Sequence, residues 1–206
     1  MNLRDWCLLV TLSILWGGSF FFVRVALEGV PPLTLVLARV GIACLALLVL
    51  LRATGEELPR RREVWSTLAV MALLNNIIPF SLIFWGQTAI PAGLAAILNA
   101  TTLLFTVVVM HLFTTDDRAT PGKAAGVLLG FLGVVVLVGP AVTGALDTPL
   151  WALAACLAAA LSYAFSGLWG RRIKPLGLTP TFTAWAQLTV TSLVLTPVVA
   201  LADRPW

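Results

Sequence analysis

Leu12–Gly41 reads LSILWGGSFFFVRVALEGVPPLTLVLARVG, two apolar runs joined by a tight turn that contains Pro32. The first run carries a small-residue break, Gly17-Gly18-Ser19, behind an aromatic, Trp16. The second carries an arginine, Arg39, in the middle of otherwise apolar sequence. A guanidinium inside a bilayer costs from about 3 to over 10 kcal/mol depending on its surroundings, so it marks a functional position by default. A weaker copy of this hairpin returns between residues 157 and 197.

The rest of the chain has the same character. Its 206 residues are 60% hydrophobic and 11% charged, with a mean hydropathy of +1.00, where a soluble domain carries about 25% charged residues. This is an all-α integral membrane protein. The net charge of +4 is spread over short loops rather than one face, which points away from nucleic acid. Cys7, Cys44 and Cys156 stand alone in or beside apolar runs, without metal or disulfide spacing, and read as small apolar side chains. The run Trp6–Leu27 is too long for a signal-peptide core and no small-residue cleavage site follows, so a retained first helix is expected.

About 20 apolar residues span a bilayer. Seven segments reach or approach that length: Trp6–Leu27, Leu33–Leu51, Val64–Trp85, Ala92–Phe113, Gly122–Val138, Leu150–Trp169 and Thr181–Leu201. Strands of a membrane barrel would alternate over about 10 residues instead. Basic residues outside the segments fall at Arg4, at Arg52, Arg60, Arg61 and Arg62, at Arg118 and Lys123, and at Arg171, Arg172 and Lys174. These are the N-terminus and every second loop. The alternate side holds Arg24 and Arg204. Basic loops stay inside, so the N-terminus is expected in the cytoplasm.

Sliding the chain against itself by 147 residues lays Leu15-Trp16-Gly17 on Ser162-Tyr163-Ala164, Ser19 on Ser166 and Arg24 on Arg171. One gap in the turn then lays Pro32 on Pro180 and Arg39 on Gln187. Five segments precede the second copy. Five is odd, so the copy enters from the opposite face, the inverted-topology arrangement of secondary transporters. The expected organisation is a first five-helix repeat over 1–142 and the first two helices of a second over 143–206.

Three stretches give the chain a family likeness. They are Leu15-Trp16-Gly17-Gly18-Ser19-Phe20 with Pro32 and Arg39; Asn75-Asn76-Ile77-Ile78-Pro79-Phe80 followed by Gly93–Thr102 (GLAAILNATT); and Gly126–Gly139 (GVLLGFLGVVVLVG). In this combination and order the chain resembles the EamA family of the drug/metabolite transporter superfamily. It departs from the family pattern at Leu103, where members commonly have proline, and at Asp116-Asp117-Arg118, where Asp/Glu-Glu-Arg is common. The resemblance implies a ten-helix fold, of which seven helices are present, so a fragment is expected. It also implies a multi-pass bacterial inner-membrane protein that carries small metabolites, often amino acids or their relatives, usually outward. No cofactor is implied.

Arg39 is the first candidate for the substrate site. No Asp or Glu lies inside any apolar segment, so its partner is a substrate anion, backbone carbonyls or water. Asn75 and Asn76 sit in the third segment one turn before Pro79, where proline frees a carbonyl and kinks the helix; they either line a cavity or bond a neighbouring helix. Asn99, Thr102 and Thr106 recur on one face of the fourth segment, with Asn99 as the substrate contact and the threonines able to satisfy their own backbone. Trp16 and Tyr163, paired by the repeat, wall a shared cavity or simply pack. Gln187, the repeat partner of Arg39, is expected to face it. Gly122, Gly126, Gly130 and Gly133 form a small-residue face that permits either close packing within the chain or a homodimer. His111, the only histidine, is an interfacial residue or a proton relay.

These residues favour a secondary transporter of small organic solutes working by alternating access. A seven-helix receptor or sensor is the alternative, opposed by the cytoplasmic N-terminus; a non-transporting fragment is another. Nucleophile–base pairs, HExxH, GxSxG and glycine-rich phosphate loops are absent from the sequence, which leaves an enzyme without visible chemistry.

Overall fold

A computed structural model describes residues 2–56, 59, 61–142 and 148–203, with the side chains of 141 and 142 left aside. The proposed repeat boundary at 142/143 and the topology charges Arg60 and Arg204 lie outside the described residues. All regular structure among the described residues is helical. Seven helices are long and apolar enough to cross a membrane: α1 (Leu3–Ala26), α2 (Pro32–Ala53), α3 (Arg62–Gln87), α4 (Ala92–Phe113), α5 (Pro121–Val142), α6 (Leu150–Gly170) and α7 (Pro180–Ala202). They match the seven apolar segments read from the sequence to within three residues at each end, α5's C-terminus excepted.

The ends are set by local chemistry. Asn2 and Asp5 make a capping box at the start of α1. After α2, Gly55 takes a positive φ of 66°, and the amides of Glu56 and Gly55 return to the carbonyls of Leu51 and Arg52. This closes the helix as a Schellman turn, which a residue with a Cβ adopts only at a cost. The α2 start is capped from a distance. Pro31 precedes it and offers no side-chain acceptor. Asp203, just past α7, accepts from the Thr34 amide at 2.7 Å and the Thr34 hydroxyl at 2.8 Å. A carboxylate at a helix N-terminus meets both the orphan amides and the positive end of the helix dipole. Asp203→Ala is expected to lower stability by about 1–2 kcal/mol, the usual worth of a cap, read as a lower melting temperature in detergent; an unchanged melt would leave the α2–α7 contact to packing alone.

Two pairings organise the bundle. α2 packs along α7, and α6 packs against both halves of α4 and chiefly the second half of α3. α6 is the centre because one face is built of small residues, with Ala152, Cys156, Ala159, Ala160 and Ala164 all buried, so backbones approach closely. Among the described glycines, Gly86 on α3 is the one where an added Cβ would meet backbone, 3.0 Å from the Ala152 carbonyl oxygen, with Cys156 Sγ at 2.9 Å. The close packing looked for on the α5 glycine face is therefore found elsewhere. α5 is peripheral: only Gly130 touches a neighbour, the side chain of Leu104, and Gly122, Gly126 and Gly133 have nothing within 4 Å.

α3 is not simply kinked by Pro79. Leu73–Ile77 form a π-helical turn just before it, and the Ile78 amide reaches back five residues to the Leu73 carbonyl. A proline withholds one amide, and a π turn shifts the register that the missing bond disturbs. The Ser162 hydroxyl on α6 donates to the Leu74 carbonyl at 2.8 Å, so a side chain completes what the turn leaves unpaired.

Loops on the basic side are tied together. Arg171 pairs with Asp116 across two loops, and Lys123 with Asp117 at 3.1 Å. The Arg171 hydrogen bond holds the Asp116 carboxyl below its ordinary range. The His111 ring accepts from the Ala119 amide at 3.1 Å, which fastens the α4–α5 loop.

Candidate functional site

α1, α2, α3, α4 and α6 border a partly open cavity of about 150 Å³ lined by Trp16, Ser19, Phe20, Arg39, Phe80, Phe84, Gln87, Asn99 and Tyr163 among others, with Trp16 and Arg39 exposed at its mouth. Arg39 is the only charged residue in that lining. Its Nη1 donates to Ser19 Oγ at 2.9 Å, and its guanidinium lies 5.1 Å from the centre of the Phe80 ring and 5.9 Å from that of Phe84. Ring faces attract a cation and are cheap to desolvate, so they support the arginine without neutralising it. Among the described residues no carboxylate pairs with Arg39. The cation remains available to an anion.

The second polar group stands apart. Asn75 Nδ2 donates to Gln187 Oε1 at 3.4 Å. The Ser166 hydroxyl lies 3.2 Å from Asn75 Oδ1 and 2.8 Å from the Tyr163 carbonyl, and its single proton serves one at a time. Asn75 and Ser166 border an open recess that shares Trp16, Asn99 and Tyr163 with the cavity. Those three residues are the wall between the two spaces. Asn76 is buried and lines neither space.

Gln187 therefore does not face Arg39. Successive spans alternate in direction, so α2 and α7 enter from opposite faces. Arg39 is seven residues after Pro32, and Gln187 seven after Pro180, each about 10 Å in from its own face at 1.5 Å per residue. In a hydrocarbon core about 30 Å thick they stand at different depths. The α4 threonines satisfy backbone: Thr102 donates to the Asn99 carbonyl and Thr106 to the Thr102 carbonyl, both at 2.7 Å.

Gln87 escaped the sequence reading. In FWGQTAI it looks like the polar end of an apolar run. Here it is fully buried, and its Nε2 donates to the Phe20 carbonyl at 3.0 Å, fastening α3 to α1 beside the cavity. Two further wall residues, Phe80 and Phe84, were equally silent, because phenylalanines in an apolar helix carry no signal of direction.

With this geometry in place, comparison with known proteins decides the family. The model of the EamA-like transporter family matches residues 5–139. The chain belongs to the EamA-like transporter family. The match covers α1 to most of α5, including Arg39 and every cavity residue except Tyr163 on α6. Among similar proteins of this type is an uncharacterized inner membrane transporter, YedA, of Escherichia coli K12, 29% identical over 171 residues, 82% of this chain and 54% of that one. A probable terminal-alkyne amino-acid exporter of Streptantibioticus cattleyicolor is 29% identical over 132 residues, 64% of this chain and 43% of that one. A probable amino-acid metabolite efflux pump of E. coli K12 is 24% identical over 192 residues, 91% of this chain and 61% of that one. The chain thus spans about half the length of the curated relatives it matches. No solved structure matches it.

Proposed function

We propose that this chain forms the substrate-binding part of a secondary transporter that moves small organic metabolites, such as amino acids or related solutes, across a bacterial inner membrane. The observation that carries the reading is the cavity whose one charge, Arg39, sits on aromatic rings without a carboxylate partner. Such a site holds an anionic group of a small molecule. The relatives named for amino-acid export support the solute class. Substrate-contact roles are proposed for Arg39, Trp16, Asn99 and Tyr163, which share the cavity, and for Asn75, which borders its recess. Asn76 and Gln187 have supporting roles between helices. The N-terminus lies in the cytoplasm, the five helices over 1–142 are one repeat, and 143–206 begins a second, inverted one around which alternating access occurs.

The spans α1–α4, α6 and α7 hold no Asp or Glu facing the cavity, so proton coupling lacks a carrier among these residues and facilitated exchange is favoured. Counterflow of radiolabelled amino acids into proteoliposomes tests this. Uptake that persists without a pH gradient supports exchange; strict gradient dependence overturns it, and absence of any uptake with the protein folded overturns the transport reading for this chain.

A further inference from the structure

A second groove lies away from the Arg39 cavity, where the α2–α3 and α6–α7 loops meet. It holds about 360 Å³ and is walled by Pro59, Val64, Leu176 and Leu178, with Arg61 and Glu63 at its rim. The two loops are tied beside it. The Thr179 hydroxyl donates to the Glu56 carboxylate and accepts from the Phe182 amide at 3.1 Å to cap α7. The groove stands where three spans end, after Ala53 of α2 and before Arg62 of α3 and Pro180 of α7. Its buried wall residue Val64 belongs to the apolar cluster of Phe182 and Trp185. Trp65 stacks edge-on against both and donates from Nε1 to the Pro59 carbonyl at 2.9 Å. Indoles with an apolar body and a bonded N–H collect at the headgroup level of a bilayer. The groove therefore opens among lipid headgroups.

Its two charges are free. Other acidic groups on these loops are engaged: Asp116 by Arg171, Asp117 by Lys123 and Glu56 by Thr179. Arg61 and Glu63 are both exposed, and neither has an ion pair among the described residues. Side chains two residues apart at a helix start do not face each other, which keeps this pair from closing on itself. Their Cα atoms still lie within about 7 Å, the reach of two extended residues. We infer that the groove seats the headgroup of a zwitterionic phospholipid with a primary amine, phosphatidylethanolamine, its phosphate on Arg61 and its ammonium on Glu63. The glycerol and first acyl carbons lie on Val64, Leu176 and Leu178. The charge pattern selects that lipid. An anionic glycerol headgroup meets Arg61 and leaves its negative charge beside Glu63. A choline headgroup is cationic but has no N–H to give the carboxylate. An ethanolamine headgroup carries both partners, separated by one oxygen and two carbons, and bridges the pair. This site is independent of the transport reading and of which leaflet the groove faces.

Native mass spectrometry of the purified full chain in detergent, titrated with dioleoyl phosphatidylethanolamine, phosphatidylglycerol or phosphatidylcholine, tests it through the affinity for the first lipid bound. The wild type is expected to prefer phosphatidylethanolamine to either of the others by about fivefold, the worth of one charge contact at a membrane surface. Glu63→Gln is expected to remove the preference over phosphatidylglycerol. Arg61→Gln is expected to weaken both lipids about fivefold. Arg118→Gln, a free arginine outside the groove, is expected to leave the ratio of the two lipids unchanged. Melting temperatures without added lipid, expected to match the wild type because both rim side chains are exposed, show that each variant is folded. A wild type that binds phosphatidylglycerol as well as phosphatidylethanolamine, or a ratio that Glu63→Gln does not move, overturns the inference and leaves a basic face that attracts anionic lipid without selecting a headgroup. Absence of any bound lipid overturns the site altogether, and neither result touches the Arg39 cavity.

Discussion

Arg39→Ala is expected to reduce substrate binding and counterflow by about 100-fold or more, with the melting temperature in detergent little changed. The magnitude follows from what the side chain does. Within the protein its charged Nη1 makes one hydrogen bond, to the neutral Ser19 hydroxyl, and the guanidinium rests on Phe80 and Phe84. The hydrogen bond is worth about 1.5–3 kcal/mol and each ring contact about 0.5–2 kcal/mol. Removing a charge from the bilayer returns several kcal/mol of desolvation, so stability is roughly balanced. A charge-assisted contact to a ligand carboxylate, in contrast, is worth up to about 3 kcal/mol, which at 1.4 kcal/mol per decade is about 100-fold. Arg39→Lys separates charge from shape. Lysine keeps the charge but lacks the flat fork that stands over the Phe80 ring and that could meet both oxygens of a carboxylate, so a loss of about tenfold is expected. If the alanine variant transports as well as the wild type while melting several degrees lower, Arg39 is a bundle-stabilising residue and the site is elsewhere.

Arg39 was legible in the sequence because a charge in an apolar run violates the cost rules of its solvent. Helix number and position were legible for the same reason: length and apolarity are the bilayer's own demands. Three things were hidden. Partner choice was one. Arg39 and Gln187 align in the repeat, but alignment gives register along the helices and not depth in the membrane, and Gln187 went to Asn75. The amide at Gln87 was another. A glutamine at the end of a run looks like a boundary, and only the three-dimensional course of α1 shows that it closes on the Phe20 carbonyl. The third was which small residues carry the packing. A membrane helix is apolar on all sides, so no moment shows which face is covered; the regular glycines of α5 stood out, while the irregular Gly86 and the alanines of α6 made the close contact. The distant cap from Asp203 to Thr34 belongs with these, since two loops far apart in sequence leave no local trace of meeting.

Gly86→Leu is expected to disrupt the fold, and Gly86→Ala to destabilise it by about 1–3 kcal/mol, read as lost monodisperse protein in the first case and a lower melting temperature in the second. Two effects oppose each other in the alanine variant. Alanine favours a helix over glycine by up to about 1 kcal/mol. Its Cβ, however, lands 3.0 Å from the Ala152 carbonyl oxygen and 2.9 Å from Cys156 Sγ. A carbonyl oxygen is part of the α6 backbone and yields only if the helix moves, and overpacking of this kind costs about 1–3 kcal/mol. The clash wins. Cys156→Ala removes the sulfur and leaves the carbonyl, so it restores part of the loss in a Gly86→Ala background and not all of it. Two controls on α5 separate steric from helical effects. Gly126 has open space around it, so Gly126→Ala is expected to be neutral or stabilising by about 0.5–1 kcal/mol from propensity alone. At Gly130 a Cβ would stand 2.6 Å from Leu104 Cδ2 and 3.3 Å from its Cγ; a side chain shifts more easily than a backbone, so Gly130→Ala is expected to cost less than Gly86→Ala. Gly86 also precedes Gln87 in the chain, and displacing α3 from α6 moves the residue that fastens α3 to α1. Gly86→Ala should therefore weaken binding as well as stability. A Gly86→Ala protein that melts with the wild type would mean that α3 and α6 stand farther apart than 3.0 Å at this crossing allows, and the cavity they bound would then be wider too.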